Sequence, residues 1–94
     1  KITFSNSAIE DLEAIKIYYH EQGVPQVGQN VVTAIVEQIE SLSQHPDIGR
    51  VVPEFNDESI RELIHPPFRI VYLRWRQELN IIRVWRTERL LRLP

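Results

Sequence analysis

Ninety-four residues suffice for one domain and not for two, and 43% hydrophobic with 26% charged residues is a folded composition rather than a disordered one. The chain has no cysteine, which excludes disulfides and thiolate metal sites, and no apolar run approaches the roughly 18 residues of a membrane span. The opening residues lack the apolar core of a secretory leader, so the expectation is a cytoplasmic protein with one domain over residues 1–94 and no membrane association.

The first four residues alternate in polarity and predict a short strand, stopped by Ser5-Asn6-Ser7. Ser7 and Glu10 have the spacing of a capping box, in which each side chain satisfies an orphan amide of the other's turn. Ala8, Leu12, Ile15 and Tyr19 then recur at helical spacing, with Asp11 expected in the first turn, where the helix dipole favours an acid. The helix is predicted to stop at Glu21-Gln22-Gly23. Pro25 suits the first turn of a second helix, since its missing amide is not needed there. Val27, Val31, Ile35, Ile39 and Leu42 form the expected apolar stripe, and Pro46 ends the helix at about His45. The β-branched residues in this stretch favour a strand on propensity alone; the three-four spacing and the lack of turn residues decide for helix.

Residues 46–59 hold two prolines, a glycine and a polar cluster, and form the longest irregular piece. Strands are predicted at 60–64, 68–75 and 80–85. Pro66-Pro67 separates the first two, and Arg76-Gln77-Glu78-Leu79 joins the second to the third as an antiparallel pair. The order β-α-α-β-β-β gives an α+β fold, with the helical hairpin laid across one face of a small, mostly antiparallel sheet. The simplest register sets Trp75 opposite Asn80, Leu73 opposite Ile82, Val71 opposite Val84 and Arg69 opposite Arg86. Two facing arginines repel unless an anion or a carboxylate lies between them, and Glu54, Glu62 and Glu88 are the candidates.

The net charge of -2 conceals a division. Residues 1–47 carry two lysines and seven acids, whereas residues 48–94 carry nine arginines and six acids and no lysine. Arginine is a planar fork of donors suited to phosphate and carboxylate, so an anionic ligand or partner is expected on the second half. Phe55, Phe68, Tyr72, Trp75 and Trp85 lie in the same half. Aromatic side chains interleaved with arginines serve a single-stranded nucleic-acid platform and a protein interface alike, and some must also be core. Other chemistry is weakly represented. His20, His45 and His65 lack ligand spacing, so no metal or cofactor is implied, and no serine sits in a nucleophile elbow.

The ordered set of segments resembles the ParE/RelE superfamily of toxins, the small proteins of bacterial type II toxin–antitoxin operons, and more its ParE or plasmid-stabilisation branch. The resemblance runs from Ser7-Ala8-Ile9-Glu10-Asp11-Leu12 through Ile15 and Tyr18-Tyr19. It resumes at Leu42, His45-Pro46, Gly49-Arg50 and Pro53-Glu54-Phe55. Arg61-Glu62-Leu63, Phe68-Arg69-Ile70-Val71-Tyr72 and the stretch from Ile82 to Arg89 complete it. It implies a growth-inhibiting protein neutralised by a cognate antitoxin, ParD-like or related, which alone would bring operator DNA. ParE-like members are associated with inhibition of DNA gyrase. RelE-like members cut mRNA in the ribosome, which is the alternative function here, beside an inactive antitoxin-binding relative.

Matched by motif, Glu54, Arg61, Arg69 and Arg86 fall on the positions of a RelE-type site. Arg86 stands where many relatives have histidine, no lysine follows Lys16, and no aromatic residue follows Trp85. Cleavage by 2′-hydroxyl attack needs a base and an acid, and arginine is a phosphate clamp rather than a proton shuttle. These departures favour the non-enzymatic branch. The residues expected to meet a target or an anion are Arg50, Arg61, Arg69, Arg86 and Arg89. Those expected to meet the antitoxin are Arg69, Tyr72, Arg74, Trp75, Arg83 and Trp85.

Overall fold

The computed structural model describes residues 1–87. Its elements are β1 (Ile2–Phe4), α1 (Asn6–Glu21), α2 (Pro25–Glu40), β2 (Arg50–Val51), β3 (Ile60–His65), β4 (Phe68–Trp75) and β5 (Glu78–Arg86), with one 3-10 turn at Ser41–Ser43. The sheet runs β1-β5-β4-β3-β2, with β1 parallel to β5 and every other pair antiparallel. The expected α+β order therefore holds, with one addition. The two-residue β2, hidden in the irregular stretch, pairs Arg50 with Glu62 and Val51 with Arg61.

The helix start differs from the capping-box expectation. Ser5, not Ser7, is the cap: its hydroxyl accepts from the Ala8 amide at 3.0 Å and donates to the Ile82 carbonyl at 2.9 Å. One side chain thus closes the first turn of α1 and ties it to β5. Asp11 consequently lies beyond the first turn. On α2, Pro25 takes the predicted first position, but the buried residues are Gly28, Ile35 and Ile39, and Val27 is exposed. The helix is rotated because the hairpin closes on Gly28, where an added Cβ would stand 2.9 Å from Tyr19 Cβ. The α-helix ends at Glu40 rather than near His45, and Leu42 reaches the core from the 3-10 turn.

The main core lies between the hairpin and the sheet. Ile15, Ile35, Ile39 and Leu42 pack on Ile70, Tyr72, Ile81 and Val84. On the outer face of the sheet, turned away from the helices, residues 52–59 fold back over part of the surface: Val52 and Val71 are fully buried there, with Ile60, Ile82 and Trp85 packed around them.

The β4–β5 register also differs. A two-residue turn, Arg76-Gln77, sets Trp75 opposite Glu78, and Glu78 and Leu79 belong to the strand rather than to the connection. The pairing then slips by one between Val71 and Tyr72, leaving Ile82 without a partner as a bulge. Arg69 consequently faces Trp85, and Arg86 faces Phe68 on the opposite side of the sheet. The expected Arg69–Arg86 opposition does not exist. A one-residue change of register moves a side chain to the other face.

Candidate functional site

Three groups of charged side chains organise the sheet. The first lies on the outer face. Glu62, 1% exposed at the centre of β3, accepts from Arg69 Nε at 2.7 Å and from Arg50 Nε at 2.6 Å. Arg69 then reaches Glu54 with both terminal nitrogens, at 2.8 and 3.0 Å. The order Arg50–Glu62–Arg69–Glu54 alternates in sign and spans β2, β3, β4 and the 52–59 segment. The Arg69 side chain is 7% exposed. The hydrogen bond to Glu54 raises its pKa above the usual arginine value, against the opposing effect of burial. Arg69 is therefore a permanent buried cation with carboxylate partners, not the surface clamp for target or antitoxin that the sequence suggested.

The second group joins the sheet to the segment after α2. Tyr72 is fully buried. Its hydroxyl donates to the Pro46 carbonyl at 2.9 Å and accepts from the Gly49 amide at 3.0 Å. Burial pushes the phenol pKa up, which keeps the donor proton in place. Tyr72, expected among the antitoxin contacts, is thus a core anchor with no exposed surface in this structure. Beside it, Arg61 donates to the Gly49 carbonyl through Nη1 and to the Glu58 carbonyl through Nε, each at 3.0 Å. Arg74 Nε lies 2.7 Å from Asp47 Oδ1, a close ion pair whose N–H is not aimed at the oxygen.

The third group closes α1 onto the edge of β5. β1 pairs only with Leu79, Asn80 and Ile81, so the edge beyond them needs another partner. Asp11 supplies it: Oδ2 accepts from the Val84 amide at 2.8 Å and from Arg83 Nε at 2.8 Å, and Oδ1 accepts from Arg83 Nη2 at 2.9 Å. The Arg83 guanidinium lies 4.3 Å from the centre of the Trp85 ring. Next to this junction is a cleft of about 330 Å³, lined among others by Asp11, Tyr18, Tyr19, Phe68, Trp85 and Arg86. The Trp85 indole N–H is buried without a hydrogen-bond partner among the described residues, on the outer face of the sheet where Trp85 packs beside Val52 and Val71. An Asp11→Ala variant is expected to lose about 1–3 kcal/mol in urea unfolding, because it leaves the Val84 amide and the Arg83 fork without their acceptor. Asp11→Asn, which keeps an acceptor, should lose less.

The sequence-predicted residues are thus distributed rather than convergent. Glu54 and Arg69 lie on the outer face, while Arg61 and Arg86 belong to the helix-facing side, where their strand partners are Tyr72 and Phe68. Arg86 borders the cleft with its guanidinium 5.8 Å from the Phe68 ring centre. Arg89 lies outside the described residues. Arg74 and Trp75 lie at the opposite end of β4 from the cleft, and Arg83 and Trp85 lie beside it. Sequence reasoning missed Asp11 as an ion-pair partner because helical spacing shows a dipole position and not the strand edge opposite it. Among the described residues no group of three or more histidines or acids could hold a metal ion.

These features can be set beside known proteins. A family model described as the ParE toxin of type II toxin–antitoxin systems, parDE, matches residues 2–91. The chain belongs to the ParE toxin family. It is the toxin component of a ParDE-type system. Ten solved chains match it as well. One, from the chromosomal ParDE toxin–antitoxin system of P. aeruginosa, superposes with a TM-score of 0.78 at 28% identity, covering 94% of this chain and 96% of that one. A comparison with curated protein sequences found no match. Membership of the ParE family places the chain with toxins that act on their target without catalysis. No helix among the described residues is long and apolar enough to cross a membrane.

Proposed function

We propose that this ParE-family toxin arrests growth in the cytoplasm by binding DNA gyrase, and that a ParD-like antitoxin neutralises it by occupying the cleft between α1 and β5. The family match over residues 2–91 carries the first part of the reading. The second rests on the cleft itself. Aromatic walls from Tyr18, Tyr19 and Phe68 together with the Arg86 guanidinium suit an antitoxin segment with an apolar anchor and a carboxylate. The sequence-predicted contact residues Arg83 and Trp85 lie at this place. Arg69 and Tyr72 drop out because they are interior. With a net charge of -2 and a pI near 5.9, the toxin has little electrostatic reason to hold operator DNA itself, so DNA binding is left to the antitoxin.

Cofactor-free inhibition by surface contact also agrees with the separation of Glu54 and Arg69 from Arg61 and Arg86, which leaves a ribosome-dependent mRNA endonuclease without an assembled acid and base. Induction of the toxin in cells without antitoxin tests the reading. DNA replication is expected to stop before translation. Translation stopping first, with messages cut in the ribosome, would move the assignment to the endonuclease.

A further inference from the structure

The tip of the β4–β5 hairpin lies about 23 Å from the cleft, taking the rise of an extended strand from Phe68 to Trp75. Trp75 ends β4 there and is 62% exposed, the highest exposure of any large apolar side chain among the described residues. Next to it, Arg76 adopts a φ of 56°, a left-handed conformation that a non-glycine residue avoids, and its guanidinium lies 5.6 Å from the centre of the Trp75 ring. No described residue forms an ion pair with Arg76. The second most exposed apolar side chain is Ile48, at 61%. Its neighbour Asp47 is ion-paired to Arg74, the residue before Trp75, which draws the 46–49 segment to the same end of the sheet. Its other neighbour, Gly49, is fixed by Tyr72.

Neither Trp75 nor Ile48 contributes to the core, yet each is held by rigid structure: a tight two-residue turn with a strained backbone on one side, a clamped segment on the other. A positive φ is what a two-residue hairpin turn requires, so the turn itself holds Trp75 and Arg76 in a fixed place at the tip. An aromatic anchor with a stacked guanidinium, immobilised before binding, has the composition and preorganisation of an interface hot spot. We infer that Trp75 and Arg76, with Ile48 at the same end of the sheet, form the docking point for the toxin's target protein, separate from the antitoxin cleft, and that the target offers an apolar pocket rimmed by carboxylates.

A protein is favoured over nucleic acid because one stacked, unpaired arginine on an acidic protein is far short of the several phosphate contacts that nucleic-acid binding uses. The partner's carboxylates follow from charge, since Arg76 at the tip has no ion-pair partner among the described residues. The inference rests on the toxin reading but not on the identity of the target.

The test is induction of wild type, Trp75→Ala and Arg76→Gly in antitoxin-free cells, with melting temperature and binding to purified ParD-like antitoxin measured alongside. Trp75→Ala should raise survival by about tenfold or more, with melting and antitoxin binding close to wild type. Arg76→Gly should weaken toxicity while melting no earlier than wild type, since glycine relieves the left-handed turn. Wild-type toxicity in both variants would overturn the inference. So would joint loss of toxicity and antitoxin binding, because one surface would then serve both partners. A wild-type chain that arrests growth while leaving gyrase untouched removes the gyrase reading alone, and these variants still decide the docking point. A wild-type chain that arrests nothing overturns both.

Discussion

Replacing Arg69 with methionine is expected to lower the free energy of unfolding by about 3–5 kcal/mol, measured in urea, because it strips a buried carboxylate of its main partner. Glu62 has no exposed side-chain surface, and its other partner, Arg50, is 62% exposed. Arg50 donates from the rim of the sheet and is screened by solvent, so it cannot replace the interior guanidinium. Glu54 is better placed to tolerate the change, since its side chain still reaches water once Arg69 is gone. The effect should therefore be concentrated in Glu62. Adding Glu62→Leu to Arg69→Met is expected to recover most of the loss, as the carboxylate is then replaced by an apolar group of similar size beside Val71. Failure of the second substitution to recover stability would mean that the network contributes through the placement of residues 52–59 rather than through the buried charge.

Gly49→Ala should destabilise by about 1–3 kcal/mol despite adding a single carbon. That carbon would stand 2.6 Å from the Tyr72 hydroxyl oxygen, 2.7 Å from Tyr72 Cε1 and 2.8 Å from the Glu62 carbonyl. The last of these is backbone in the middle of the sheet and cannot move aside. Relief has to come from displacing the 46–49 segment, which breaks the bonds from Tyr72 to Pro46 and from Gly49 to Tyr72. Tyr72→Phe alone removes the same two bonds and leaves a buried amide and carbonyl unpaired, at a similar cost. Because both substitutions damage one contact, the double variant should fall short of the sum of the singles. Additive losses would show that the segment is held elsewhere.

Much of the architecture is visible in local pattern. Pro25 at a helix start, the three-four spacing of Ile35, Ile39 and Leu42, and the apolar run within residues 68–75 after Pro66-Pro67 all lead to the elements observed. Three things were not visible, for physical reasons. The capping-box spacing to Glu10 favours Ser7 in the sequence, and only the Ile82 carbonyl opposite Ser5 decides for Ser5. Two-residue β2 is too short for any periodicity, and it exists because β3 offers it an edge. Register depends on turn length and on a bulge at Ile82, neither of which leaves a signal in composition.

The candidate site divides in the same way. That the arginines of the second half would seek carboxylates was legible from their number. Which of them turn inward was not, because Arg69 and Arg74 read alike until the faces of β4 are assigned. Arg69 meets Glu62 and Glu54 in the interior, whereas Arg74 meets Asp47 near the surface. Trp75 and Trp85 are likewise indistinguishable by type. One packs beside Val52 and Val71, and the other is left in solvent by the turn that follows it.

Inhibition by contact with gyrase, without cleavage of RNA, is the central proposal for this toxin. The most direct measurement is DNA supercoiling by purified gyrase as the toxin is titrated in, with and without the antitoxin. Supercoiling is expected to be lost near equimolar toxin and to recover fully when antitoxin is added. Unimpaired supercoiling at large toxin excess, from a preparation that still arrests cells, would contradict it.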